Sequence, residues 1–330
     1  MASNSPERIA AMDAQTQSHG KYDALIDRCQ AMPPVCTAVA HPCDAHSLQG
    51  AIDAAAAGII RPILIGPEGK IRRVARDSRI DLATHTIVNA EHSHAAAAIA
   101  VEHVRSGGAG ALMKGSLHTD ELMAEVVCRA TGIRTGRRVS HVFIMDVPTY
   151  PKLLFITDAA VNIAPTLDDK VDIVTNAIDL AQALGVELPR VAILSAVETV
   201  TAKIPSTIEA AALCKMAERG QIKGGRLDGP LAFDNAISRQ AALTKGIVSP
   251  VAGDADILLV PDMEAGNMLA KELTFLANAE AGGIVLGARV PVILTSRADS
   301  VRARLASCAV AAIYSHVRNA EYDLDRDAAD

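Results

Sequence analysis

What most narrows the folds open to this chain is an alternation. Short, continuous apolar runs recur at 35–40, 62–65, 109–113, 139–145, 153–157, 191–194, 257–260, 283–286 and 290–294, with stretches of helical period between them. A run that is apolar throughout, rather than at every second residue, describes a strand covered on both faces, and strands alternating with helices imply a mostly parallel sheet. In "TLDDKVDIVTNAIDLAQALG" Val171, Val174, Ile178 and Ala181 repeat at three- and four-residue steps. Thr166 and Asp169 there predict a capping box, and Gly185 a stop. Ser206 and Glu209 predict a second box at the head of "STIEAAALCKMAERG". The expected fold class is α/β: two three-layer α/β domains with mostly parallel sheets and an active-site cleft between them. Soft points at 131–138 and 281–283 suggest a discontinuous first domain, 1–135 plus 284–330, and a second, 136–283. The first twenty residues read as a frayed end.

Composition bears on partners. Net charge is −6 and aromatics are 2 % of 330 residues, with no Trp. That combination argues against a nucleic-acid surface and against base-stacking platforms. The six scattered cysteines form no CxxC pair and read as reduced thiols of a cytoplasmic protein. No apolar stretch is long enough to span a bilayer, so no membrane is expected.

Ligands of open α/β sheets sit beyond the carboxyl ends of strands, so the residues following each run are the candidates. Lys114, Gly115 and Ser116 follow one; Asp158 another; Ser195 and Glu198 a third; Asp262, Glu264 and Asn267 a fourth; Thr295, Ser296 and Arg297 the last. Helix capping explains about half of such endings. What capping leaves over is Lys114 and Arg297 beside helix N-termini, where backbone N–H groups and the helix dipole favour phosphate. Arg297 adds a planar fork that binds two oxygens at once.

Other chemistries lack their marks. No G-x-G-x-x-G joins a strand to a helix, "GALMKGS" puts Lys before Gly, and no G-x-S-x-G elbow occurs. His41, Cys43 and His46 crowd one loop without zinc spacing, and His92 and His94 stand at i and i+2. Asp158, Glu198 and Asp262 suit a hard cation or the orienting of a ligand equally. The expectation is no metal and no cofactor.

Six blocks in order, "ALMKGSLHTDELM", "RRVSHVFIMDVP", "FITDAAVNIAP", "LDGPLAFDNAIS", "GIVSPVAGDADILLVPDMEAGNMLAKEL" and "PVILTSRADS", resemble the phosphate acetyltransferase/phosphate butyryltransferase family. The likeness runs from Ala111 to Ala312. It is strongest to the transferase portion of proteins that also carry an enoyl-CoA hydratase-type domain. The resemblance implies exchange of a short-chain acyl-CoA and phosphate with acyl phosphate and CoA, acetyl first and butyryl next. It also implies a cleft between two α/β domains, a homodimer and no metal. Carried onto this sequence, it makes Ser296 and Arg297 the catalytic phosphate contacts. Asp262 and Asn267 line the same cleft, with Lys114, Gly115 and Asp158 joining them as substrate-binding residues.

The sequence departs from the family's acetyl branch in two places. That branch carries an aspartate, thought to deprotonate the CoA thiol, six residues after the arginine; here the position is Ala303, as in butyryltransferase-type members, which also read "SRADS", so this segment leans toward that branch. Asp299 and Asp262 are the substitutes the sequence offers. An upstream arginine is also missing, with Arg137 or Arg138 in its stead. The rival readings are a non-catalytic CoA or acyl-phosphate binding protein and a decarboxylating dehydrogenase of related shape.

Overall fold

The structure, a computed structural model, describes residues 20–295 and 299–327, with side chains as far as 320. In chain order the strands are β1 (Val35–Ala40), β2 (Ile60–Gly66), β3 (Thr86–Asn89), β4 (Ala111–Lys114), β5 (Ser140–Asp146) and β6 (Leu154–Thr157). They continue with β7 (Arg190–Leu194), β8 (Arg226–Leu231), β9 (Ile257–Leu259), β10 (Glu280–Leu286) and β11 (Val292–Ile293). The helices used below are α1 (Gly20–Gln30), α2 (Ala45–Ala56), α3 (Glu68–Asp77), α4 (Ser93–Arg105), α5 (Thr119–Val126) and α6 (Leu167–Ala183). After them come α7 (Pro205–Glu218), α8 (Phe233–Ile237), α9 (Arg239–Thr244), α10 (Met263–Leu276) and α11 (Val301–Asp327).

The α/β class and the mostly parallel sheet are as the alternation predicts. All eleven strands join one sheet, in the order β3-β2-β1-β4-β11-β10-β5-β6-β9-β7-β8. Every pair is parallel except the three central ones, β11–β10, β10–β5 and β5–β6. Two parallel sets therefore run in opposite directions, joined by an antiparallel seam. Register makes them meet. Val39, Met113, Ile293, Ile284, Val142, Thr157, Leu259 and Ile193 form one continuous row across the sheet. β1, β4 and β11 of one set and β6, β9 and β7 of the other finish at or one residue past this row, so their carboxyl ends converge at the seam from opposite sides.

Packing turns that convergence into a cleft. On one face a single apolar cluster runs the length of the sheet, from Val39, Leu64 and Met113 through Val142 and Ile284 to Val191 and Ile257. The opposite face carries two clusters, one around Leu112, Val285 and Val292, the other around Met145, Ile156 and Leu258. Side chains alternate across a strand, so His141, Phe143 and Gly283 point away from the continuous core, at the boundary between the two separate clusters.

Local signals fared unevenly. Thr166 and Asp169 close the predicted capping box on α6, and Gly185 follows its end at φ 102°. The box predicted at Ser206 and Glu209 does not form. Pro205 sets the start of α7, Ser206 Oγ lies 2.8 Å from Ser195 Oγ, and Glu209 is drawn to buried Lys170. Among the described residues no helix is long and apolar enough to cross a membrane.

Candidate active site

At the seam lies a cleft of about 490 Å³. Its walls are the start of α2 (Asp44, His46, Ser47), the turn after β4 (Lys114, Gly115, Ser116, Leu117) and the segment after β11 (Leu294, Thr295). Asp299 and Arg304, flanking the start of α11, complete them, with Phe143, His141, Gly283 and Ala160 along the central strands.

Close contacts fix the turn after β4. Gly115 N donates to Ala40 O and Ser116 N to His41 O, both at 2.8 Å. Ser116 Oγ accepts from Cys43 N at 3.1 Å, is 3.1 Å from His41 Nδ1 and lies 2.9 Å from His41 O. The β1 and β4 loops are thus laced together. Lys114 Nζ donates to Gly115 O and Leu117 O at 3.2 and 3.1 Å, which holds the ammonium over the turn. The loop holding His41, Cys43 and His46 serves as a cleft wall, and among the described residues no group of metal-ligating side chains occurs.

The other substrate-binding candidates stand behind this wall. Asp158 is buried, and its carboxylate accepts from Ala160 N, Val161 N and Asn162 N at 2.9–3.2 Å and from Asn162 Nδ2 at 2.5 Å. It shapes the loop that presents Ala160 to the cleft. Asn267 supports the same loop, its Nδ2 donating to Ala159 O at 3.2 Å. Asp262 caps α10, accepting from Ala265 N at 2.8 Å. Arg138 is engaged by Asn162 Oδ1 at 2.7 Å and Asp169 at 3.1 Å, and Arg137 pairs with Asp179. None of these five is among the described residues lining the cleft. Ser296 and Arg297 lie outside the described residues; Thr295 and Asp299, which flank them, both line the cleft.

Three features were not read from the sequence. The His141 imidazole lines the cleft, edge-on to Phe143 with centroids 4.4 Å apart. Burial pushes it down to about 4 although Asp158 acts the other way, and Nδ1 has no hydrogen-bond partner. Gly283 makes room for it, since a Cβ there would stand 2.7 Å from Nε2. Arg304 is the second feature. The third is the burial of Ala303, which the sequence had named: it lies in the continuous core rather than facing the cleft. Among the described lining residues there is no cysteine, and burial raises the thiol of nearby-loop Cys43 to about 11, against an acyl-cysteine there.

A cleft at converging strand ends with Lys and Arg at strand and helix ends is suited to hold anionic substrates. Residues 93–312 match the family described as "Phosphate acetyl/butaryl transferase", and the chain belongs to that family. It is 68 % identical to a phosphate acetyltransferase of Rhizobium meliloti, over 91 % of this chain and 95 % of the relative. It is 42 % identical to a phosphate butyryltransferase of Clostridium beijerinckii, over 88 % and 97 %. A branched-chain phosphotransacylase from Enterococcus faecalis V583 superposes with a TM-score of 0.75 at 32 % identity, covering 86 % of this chain and 99 % of its own. The chain is thus an acyltransferase that exchanges acyl-CoA and phosphate with acyl phosphate and CoA. The resemblance read from the six blocks holds.

Proposed function

We propose that the physiological acyl group is acetyl, with butyryl a poorer substrate, and that Ser296 and Arg297 grip the phosphate. The observation that carries this reading is the converged strand ends. Lys114 and Arg304 line one cleft with Thr295 and Asp299, the described residues that flank Ser296 and Arg297 in the sequence. The identity to the Rhizobium meliloti relative favours acetyl. In the CoA-acylating direction the sulfur attacks the acyl carbonyl, the bond from the carbonyl carbon to the phosphate oxygen breaks, and the thiol proton passes to solvent or to the departing phosphate. Arg297 offsets charge gathering on the leaving phosphate, an effect worth about 3–4 kcal/mol of barrier. Holding both substrates in one cleft contributes comparably through proximity.

The test is thiol release from acetyl-CoA and from butyryl-CoA with phosphate. Arg297→Ala should lower turnover about a hundredfold, and Arg297→Lys should recover only part of it because one ammonium cannot span two oxygens. Equal rates with both acyl-CoAs would overturn the acetyl assignment, and near-normal kinetics of the alanine variant would remove Arg297 from the site.

The protein is further proposed to be a cytoplasmic homodimer, with residues 1–135 plus 284–330 and 136–283 forming the two sides of the cleft. Met268, Phe275 and Leu276 project exposed from α10, with exposed Leu243 and Val248 elsewhere in the same half. An apolar patch of that kind favours a subunit contact. Sedimentation of Phe275→Asp as a dimer indistinguishable from the parent would refute this surface.

A further inference from the structure

Arg304 is 8 % exposed, yet it is among the residues that line the cleft. It sits in the first turn of α11, where Ser300 Oγ accepts from Ala303 N at 3.0 Å as the helix cap. Its shaft lies against α2 at Gly50, where an added Cβ would come within 3.3 Å of Arg304 Cδ and 3.4 Å of Nε. Arg304 Nη1 donates to Asp299 O at 2.8 Å, and Nε has no partner at all. Among the described residues Arg304 enters no ion pair.

A guanidinium offers five donors and keeps its charge at any working pH. Buried charges are ordinarily paired, because desolvating one alone is expensive. A single carbonyl leaves this one under-compensated. The missing partner must enter from the cleft and must be anionic. Lys114, which lines the same cleft, points to the same sign of ligand.

We infer that Arg304 binds a phosphate dianion in the cleft, the inorganic phosphate or acyl-phosphate phosphoryl group of the reaction, and completes its own charge pairing only when that group is bound. The inference rests on the transacylation reading and deepens it. The reacting phosphate is favoured over the phosphates of CoA because the guanidinium is almost wholly enclosed. A small tetrahedral anion reaches it, whereas the extended CoA tail needs an open surface. The residue preceding it, where the acetyl branch carries an acid, is the buried Ala303. The helix therefore presents a cation to the cleft where an acid was expected.

The experiment needs no turnover. Thermal unfolding of the full-length protein is followed with inorganic phosphate, and separately with adenosine 3′,5′-bisphosphate as the anionic part of CoA. Phosphate should stabilise the parent in proportion to its occupancy of the native state. Arg304→Gln and Arg304→Met should be at least as stable as the parent without ligand, because an unpaired buried charge has gone. Both should lose the phosphate-induced shift and keep the bisphosphate shift. In kinetics the KM for phosphate should rise about 10- to 150-fold, the range spanned by a charge-assisted hydrogen bond, with the KM for CoA little changed.

A strut that merely holds the Asp299 carbonyl predicts the opposite: less stable variants with an intact phosphate shift. That result overturns the proposal, as does failure of both variants to fold. Loss confined to the bisphosphate shift also overturns it and assigns the cation to CoA. An inactive parent that still shows the phosphate shift would refute the transacylation reading and leave the anion site standing.

Discussion

Gly115→Ala tests how closely the cleft wall is set. A Cβ on residue 115 would stand 2.4 Å from Ala40 O, 2.5 Å from His41 O and 2.6 Å from His41 C, all backbone atoms that cannot rotate away. Relief requires the turn to move by about 1 Å to reach ordinary van der Waals separation. That movement disrupts the 2.8 Å bonds from Gly115 N to Ala40 O and from Ser116 N to His41 O. Two net hydrogen bonds at about 1 kcal/mol each, with an overpacking strain of about 1–3 kcal/mol, make a destabilisation of roughly 3–5 kcal/mol. The same shift carries Lys114 and Ser116 with it, and a misplacement of about 1 Å at a reacting site costs about a hundredfold in rate. Urea unfolding and thiol release from acetyl-CoA measure the two effects. Gly136→Ala is the control, since nothing lies within 4 Å of a Cβ there and its φ is not left-handed. A Gly115→Ala protein with parental stability and turnover would refute the close-approach argument.

Ala303→Asp places a carboxylate in the continuous core, not in the cleft, so it should cost roughly 3–5 kcal/mol as an unpaired buried charge and bring no gain in turnover at neutral pH. Urea unfolding with the acetyl-CoA assay decides this, and a faster, equally stable variant would contradict the burial. EDTA should leave activity unchanged. The Asp158 carboxylate is already filled by four N–H donors, Asp262 caps α10, and Glu198 is bonded by Lys245 at 3.2 Å; metal-reversible loss of turnover would reject the expectation. His141 has its folded pKa lowered by burial to about 4 from 6.5. The unfolded chain therefore binds the proton first as pH falls. This group's share of stability is full above 6.5 and is lost at up to about 1.4 kcal/mol per pH unit down to the folded value. His141→Gln should flatten that part of the stability–pH curve, and an unchanged slope would show that the imidazole titrates normally.

The sequence by itself determined what depends on neighbours along the chain. Nine of the strands were legible because each is covered on both faces, and a doubly covered strand must be apolar throughout. The two it did not disclose, β3 and β8, are the sheet's edges. "TIVN" and "RLDGPL" are only partly buried, so burial imposed no continuous apolar run on them. The capping box at Thr166 was legible for the same local reason. The box expected at Ser206 does not form, because the neighbouring Pro205 starts the helix and the tertiary pull of Lys170 draws Glu209 away.

The site divides along the same line. Lys114, Gly115 and Thr295 could be named from strand ends, and the structure gathers them in one cleft. Asp158, Asp262 and Asn267 follow strand ends equally well, yet they are spent on loop and helix geometry behind the wall. Whether a polar residue after a strand faces a ligand or caps the next turn depends on which backbone donors stand near it, and sequence does not record that. His141 and Arg304 lie inside a strand and a helix, where no local pattern marks them. Only the antiparallel seam, which brings two oppositely running sets of strands to one row, sets the buried His141 at a boundary between core clusters, along the cleft. Only the packing of α11 against Gly50 encloses Arg304 with its charge unpaired, because burial and register are properties of the assembled sheet and not of any segment of the chain.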